Sequence, residues 1–218
     1  MKEKLLFQYY RFLGWCAKKY LQRSHALSIW VNWSVGKTSC RMIIHQTLEN
    51  AFPEKAIYTS PKNFNWELGM SLSILEVESR EPRIPYFLKI GAKAFWKALF
   101  WNKHYDCIVL EYGIDRPKEM EFLVSINKPD IWVFTAIDAV HSEQFWNPTE
   151  IAREEVKMVK NTKEIAFLNA DDSYAQQLIW TLWIDEFTYQ TVWYDSTADI
   201  HFSWEKLTVD RSEEHTSE

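Results

Sequence analysis

Residues 28–40 read SIWVNWSVGKTSC. A short apolar strand runs into a loop, and the loop ends in Gly36-Lys37-Thr38 as a helical pattern begins that continues to about Asn50. That order constrains the fold more than any other stretch, because a Gly-Lys-Thr between a strand and a helix has the form of a phosphate-binding loop. Backbone N–H groups of the loop and of the helix N-terminus would cradle an anionic phosphate. Lys37 would place a charge on the β- and γ-phosphates, and the Thr38 hydroxyl could ligate Mg²⁺. Ser34, Val35, Gly36, Lys37, Thr38 and Ser39 are therefore the candidate nucleotide-binding residues. A chance match is the plainer alternative, and the strand–loop–helix context argues against it. The long form of the motif needs glycine at position 31, where Val31 stands; a shorter form needs glycine at position 33, where Trp33 stands.

The rest of the chain alternates in the same way. Apolar runs at 26–31, 55–60, 105–113, 130–137 and 163–170 read as buried strands. Helical patterns follow at 92–101, 117–126, 149–159 and 173–182. Apolar strands alternating with helices predict an α/β fold, a mostly parallel sheet with helices on both faces. Residues 188–194 and 205–210 read as a short antiparallel extension. At 218 residues and 47% hydrophobic content, one sizeable domain is expected. A net charge of −5 gives no nucleic-acid signature. Cys16, Cys40 and Cys107 form no metal or CxxC spacing and suit a reducing compartment. Neither a signal peptide nor a run of 18 apolar residues is found.

Residues 2–24 mix an apolar stripe (Leu5, Leu6, Tyr9, Phe12, Leu13, Cys16, Tyr20) with Lys2, Lys4, Arg11, Lys18, Lys19 and Arg23. Two readings follow: a helix packed on the main domain, or an amphipathic helix on an anionic membrane surface. The expected organisation is an N-terminal basic helix at 1–25, a nucleotide domain at 26–210 and a tail at 211–218.

Four further segments carry a resemblance. SPKNFNWELGMSLSIL (60–75), LEYGIDRPKEMEFLVSINKPD (110–130), FTAIDAVHSEQFWNPTEIAREE (134–155) and FLNADD (167–172) occur in order after the loop. Together with SVGKTS they resemble the central ATP-binding domain of the Mur ligases, most of all the branch that adds D-alanyl-D-alanine. The resemblance implies an ATP- and Mg²⁺-dependent amide ligase, active in the cytoplasm on a nucleotide-linked muramyl peptide and a dipeptide, with no nucleic-acid partner and as a monomer. It implies that Lys37, Glu111 and His141 are catalytic. Thr38 and Glu111 would hold one Mg²⁺, and His141 with Glu155 a second. Asn63 and Asn65 would shape the substrate edge, and Asn169 would lie near the adenosine. The sequence departs from the family at Ser71 (proline), Ala136 (asparagine) and Glu155, which aligns with a lysine that many members carboxylate. The family's N-terminal substrate domain has no counterpart in the 25 residues before the first strand, and its C-terminal domain is missing. Another amide ligase of the superfamily, or a nucleotide-binding module without ligation, are the alternatives.

The chain has 5 glycines and 12 tryptophans, where average usage predicts about 15 glycines. Trp33 and Trp146 stand at glycines of the family pattern, and Trp30, Trp132, Trp180, Trp183, Trp193 and Trp204 stand where small residues are natural. Since some bacterial lineages read UGA as glycine, these tryptophans read as glycine codons translated by another table. Trp15 and Trp96, in helical apolar settings, read as native. RSEEHTSE (211–218) matches the in-frame translation of a common sequencing adapter and reads as a non-native tail.

Overall fold

The computed structural model describes residues 2–32, 36–60, 67–77, 84–101, 103–112, 119–136, 157–173, 175–176, 189–193 and 198–201. The backbone alone is described at 2–4, 67–68, 84–85, 189, 193 and 201. The elements run α1 (Lys2–Ser24), β1 (Leu27–Asn32), α2 (Lys37–Ala51), β2 (Ile57–Thr59), α3 (Glu67–Ile74) and α4 (Ile84–Phe100). They continue with β3 (Cys107–Tyr112), α5 (Glu119–Ile126), β4 (Ile131–Phe134), β5 (Ile165–Asn169), β6 (Tyr189–Trp193) and β7 (Ile200–His201). The strands form one sheet in the order β2-β3-β1-β4-β5-β6-β7, parallel at every pairing among the described residues.

A strand covered on both faces must be apolar at odd and even positions alike. β1 meets this condition. Ile29 and Val31 join Val109 of β3 on one face, packed against Ile44 and Leu48 of α2. Trp30 points the other way and shares the larger core with Leu110, Trp132 and Leu168 of the sheet and with residues of α1, α3, α4 and α5. Burying each such large side chain contributes roughly 1.5–3 kcal/mol.

α1 belongs to that core. Leu13, Cys16, Ala17 and Tyr20 are all buried in it, so the reading of a helix packed on the domain holds. Gly14 lets α5 come close: a Cβ there would lie 3.1 Å from Phe122 and 3.2 Å from Ile126. The Tyr9 hydroxyl donates to the Phe87 carbonyl at 2.7 Å and Arg23 donates to the Ala98 carbonyl at 2.9 Å, fastening α1 to α4.

Two expectations change. β6 runs parallel to β5, with Ala166 opposite Tyr189 and Asn169 opposite Val192, where an antiparallel extension was expected at 188–194. The physical reason is length: nearly twenty residues separate the two strands, enough for a crossover, whereas an antiparallel hairpin needs only a few. The other half of that extension, 205–210, lies outside the described residues. α3 was not anticipated: in its sequence ELGMSLSI the apolar residues Leu68, Met70, Leu72 and Ile74 alternate with Gly69, Ser71 and Ser73, a two-residue period and not a helical stripe. The helices expected at 149–159 and 173–182 are seen in part, with helical backbone at 157–161, 173 and 175–176.

Trp30 and Trp132 are register partners on adjacent central strands and are both fully buried. Trp30 stacks on Tyr112 at 5.7 Å and Trp132 meets Phe134 edge-on at 5.1 Å. Both indole N–H groups are buried without an acceptor, a desolvation cost of about 1–3 kcal/mol each.

The N-terminal end of the sheet is tied by one carboxylate. Asp130 Oδ2 accepts from the Ser28 amide and from the Ser28 hydroxyl, each at 2.7 Å. Its Oδ1 accepts from Lys163 at 2.8 Å, and its own amide donates to the Ser28 carbonyl at 3.0 Å. Strands β1, β4 and β5 are thereby fastened at their starts. Burial pushes the Asp130 carboxyl up, but hydrogen bonds from Lys163 and Ser28 outweigh it and hold the group below the usual carboxylate range. A depressed folded pKa gives stability that is present above the unfolded value of about 3.9 and is lost as pH falls through the folded one. Asp130→Asn is expected to lower stability at neutral pH by about 1–3 kcal/mol, measured as a urea midpoint. The gap between variant and parent should close below about pH 4; a gap that stays constant with pH would refute the role given to the charge.

Candidate nucleotide-binding site

The strand order places a divergence at the C-terminal end of β1. The chain leaves β1 over one face, through α2, to reach β2, and leaves β3 over the opposite face, through α5, to reach β4. Ligand crevices in open α/β sheets form at such a point.

Gly36 sits there as the N-cap of α2, with φ 79° and ψ −3°. That left-handed conformation is strained for a residue with a Cβ, which explains glycine at this position, and the space around it is open. α2 then begins KTSC, with no acidic residue in its first turn, so the positive end of the helix is not offset by side-chain charge. Lys37 and Thr38 are half-buried and Ser39 is exposed.

Glu111 reaches this turn from β3. The two-residue period of the strand turns Ile108 and Leu110 to the large core and puts Val109 and Glu111 on the α2 face. Register pairs Glu111 with Val31 at the end of β1. The Thr38 hydroxyl donates to Glu111 Oε2 at 2.9 Å, so the structure brings these two candidate residues together.

Sequence reasoning missed Arg41. It lies three residues after Thr38, on the stripe of α2 that continues through Ile44 and Leu48 to the sheet. Its Nε stands 3.5 Å from Glu111 Oε2, and their side chains are 4% and 6% exposed. The contact is charge attraction and not an aligned hydrogen bond. Nη1 of Arg41 donates to Thr59 Oγ1 at 2.8 Å and to the Ser60 carbonyl. Arg41 thus joins α2, the Glu111 carboxylate and the end of β2, just before residues 61–66. The signal available in the sequence was a single charge on the apolar, sheet-facing stripe of α2, where a cation needs a buried partner.

Asn169 ends β5 at the same edge. Its Nδ2 donates to the Thr135 carbonyl at 2.7 Å and its Oδ1 accepts from the Asp171 amide at 2.9 Å. Thr135 in turn donates through its hydroxyl to the Asn32 carbonyl at 3.0 Å, and through its amide at 3.2 Å. The Asn169 amide group is engaged in holding the edge of the crevice together from β1 to β5. Ser34, Val35, Asn63, Asn65, His141 and Glu155 lie outside the described residues, as do Trp33 and Trp146.

Residues 33–217 match the family model described as Mur ligase middle domain. The UDP-N-acetylmuramoyl-tripeptide–D-alanyl-D-alanine ligase of Borreliella burgdorferi is 25% identical over 158 residues, covering 72% of this chain and 28% of that protein. The ligase of the same name from Bacillus subtilis is 24% identical over 148 residues, covering 68% of this chain and 26% of its own length. The chain therefore spans under a third of the length of these curated relatives. Among solved structures, MurF from Acinetobacter baumannii superposes with a TM-score of 0.66 at 16% identity, covering 87% of this chain and 36% of that one. MurF ligase from Thermotoga maritima, in complex with ADP, superposes at 0.61 with 20% identity, covering 84% and 36%. Those structural likenesses establish the same α/β fold, and the family match extends over most of the sequence: the chain belongs to the Mur ligase family, and residues 33–217 correspond to its middle domain.

Proposed function

We propose that this is the ATP-binding domain of an amide ligase of cell-wall precursor synthesis, which joins D-alanyl-D-alanine to a nucleotide-linked muramyl tripeptide. The observation that carries the reading is the Thr38 hydroxyl on the Glu111 carboxylate, 2.9 Å apart, at the N-terminus of a helix that opens Gly36-Lys37. Relatives at modest identity that bear this activity in their names support it.

Two hard oxygen donors on a rigid helix and strand fit Mg²⁺, which Thr38 and Glu111 would hold. Bound there, the ion supplies positive charge to phosphate oxygens. Ser34, Val35, Gly36 and the amides of Lys37, Thr38 and Ser39 bind the phosphates of ATP, and Lys37 stabilises the γ-phosphoryl group as it transfers. A carboxylate oxygen of the muramyl peptide attacks the γ-phosphorus, and ADP leaves. The dipeptide amine then attacks the acyl carbon. The amide bond forms, inorganic phosphate departs and the amine gives up a proton. Asn63 and Asn65 would contribute to recognition of the muramyl substrate. His141 and Glu155 would hold a second Mg²⁺, the Glu155 carboxylate supplying the anionic oxygen that a carbamylated lysine supplies in other members. Asn169 contributes by fixing the crevice edge. The protein works as a monomer in the cytoplasm, with residues 2–24 at the inner face of the membrane.

Phosphate release by the ligase that contains this domain is expected only when both the muramyl tripeptide and D-alanyl-D-alanine are present. Nucleotide binding with no phosphate released for any carboxylate and amine pair would leave a binding module instead. Glu111→Gln would weaken the hold on the Mg²⁺ that stabilises transition-state charge and should lower kcat by about 10²–10³-fold.

Arg41 neutralises Glu111 when no cation is bound. Arg41→Met leaves that carboxylate buried and unpaired, at an expected cost of about 3–5 kcal/mol in stability. Millimolar Mg²⁺ should then raise the melting temperature of Arg41→Met more than that of the parent. Equal shifts would show that the cation does not substitute for the guanidinium.

Trp33 and Trp132 we read as glycines of the natural protein. The orphaned N–H groups of Trp30 and Trp132 support a foreign origin for core tryptophans. Trp33→Gly is expected to strengthen ATP binding at least about tenfold, since a phosphate loop needs a residue without Cβ where its backbone approaches the ligand. Tryptophan at position 33 in a peptide mass spectrum of the native protein would sink the idea.

A further inference from the structure

The outer faces of α1 and α4 form a surface that the nucleotide site does not use. Phe12 and Trp15 of α1 and Phe95 of α4 stack in a triangle, each pair of ring centroids 6.4 Å apart, and so join the two helices on their solvent side. Along α4 the apolar surface continues through Leu88, 72% exposed, and through Trp96, 60% exposed, which packs on Phe100 at 4.5 Å. Scattered exposed apolar residues are ordinary, but a contiguous aromatic patch marks an interaction surface.

Charge indicates what it meets. α1 and α4 together carry nine lysines and arginines and one glutamate, an excess of eight positive charges in a chain whose net charge is −5. Arg11 lies one turn before Trp15, and Lys19 one turn after it. Lys89 and Lys93 precede Trp96 on the same side of α4, and all four basic residues are exposed. Lys97 is the exception: it points inward, over the Trp101 ring at 4.6 Å and toward the Glu76 carbonyl at 3.4 Å. Together with the Tyr9 and Arg23 hydrogen bonds, this anchors α4 on its inner side, so the outer face is presented as a fixed plane. No helix among the described residues is long and apolar enough to cross a membrane. Aromatic rings flanked by Lys and Arg on a helix too polar to span are the pattern of a segment that lies in the headgroup layer.

We infer that α1 and α4 form a composite platform that docks on a membrane rich in anionic lipid, with Phe12, Trp15, Phe95 and Trp96 entering the acyl boundary and Arg11, Lys19, Lys89 and Lys93 on the phosphates. This extends the contact proposed for residues 2–24 to a second helix, and it rests on that reading for the cytoplasmic side. The platform lies on the helical face of the sheet opposite α2, so docking leaves Gly36-Lys37-Thr38 open to solvent.

The test is co-sedimentation with vesicles of phosphatidylcholine alone and of phosphatidylcholine with 30% phosphatidylglycerol. Binding is expected to the anionic vesicles only and to weaken with salt. Lys89→Gln with Lys93→Gln should lower the partition coefficient about 25-fold, roughly fivefold per charge removed. Phe12→Ala with Phe95→Ala should lower it at least about tenfold. Melting temperature serves as the control for both variants. A parent chain that binds neither vesicle, binds both equally, or covers this face by forming a dimer in sedimentation equilibrium would overturn the proposal. ADP binding measured on the same samples reports separately on the nucleotide site, so loss of either property is distinguishable from loss of the other.

Discussion

Two-sided burial of a parallel sheet governs the rest of this molecule. Each central strand has helices on both faces, so no polar side chain can stand in the middle of a strand without a partner. β1 is accordingly apolar from Ile29 to Val31 and β3 from Cys107 to Leu110; Ser28 is met by Asp130, and the other polar groups stand at the strand ends. Glu111 shows the rule at its limit. It is the first carboxylate β3 can carry, and it is tolerated because Thr38 and Arg41 meet it from α2. The proposed nucleotide site sits at the end of the sheet where the register of β1 and β3 brings a helix N-terminus and a strand carboxylate together.

Much of this was legible in the residues. Continuous apolar runs at 26–31, 105–113, 130–137 and 163–170 marked β1, β3, β4 and β5, because a strand buried on both faces leaves a run that few other structures leave. Gly36 marked the helix start, because a left-handed cap demands glycine, and Lys37 and Thr38 were legible as part of the phosphate-loop pattern. Glu111 was legible only through the family pattern, since nothing local distinguishes a carboxylate at a strand end.

What was not legible depends on long-range partners. The direction of β6 is fixed by the length and path of the chain after β5, which residues 188–194 do not encode. Residues 69–74 of α3 are all buried, serines included, and its apolar residues recur every second position, which is not the period of a helix. Arg41 gives a local sign, a charge among apolar neighbours, but its two partners come from β2 and β3, 18 and 70 residues away. The outer face of α4 likewise emerges only when α1 is laid beside it, since the aromatic triangle draws on both helices.

The knot at Asp130 and Ser28 has a mechanical meaning for the whole domain. It clamps three central strands at one end, while the candidate nucleotide site lies at the opposite end. The sheet is therefore built like a fan held at its handle: strand ends can spread or close at the crevice without shifting their starts. Amide protons along β1, β4 and β5 would accordingly exchange with solvent more slowly toward the handle than toward the rim.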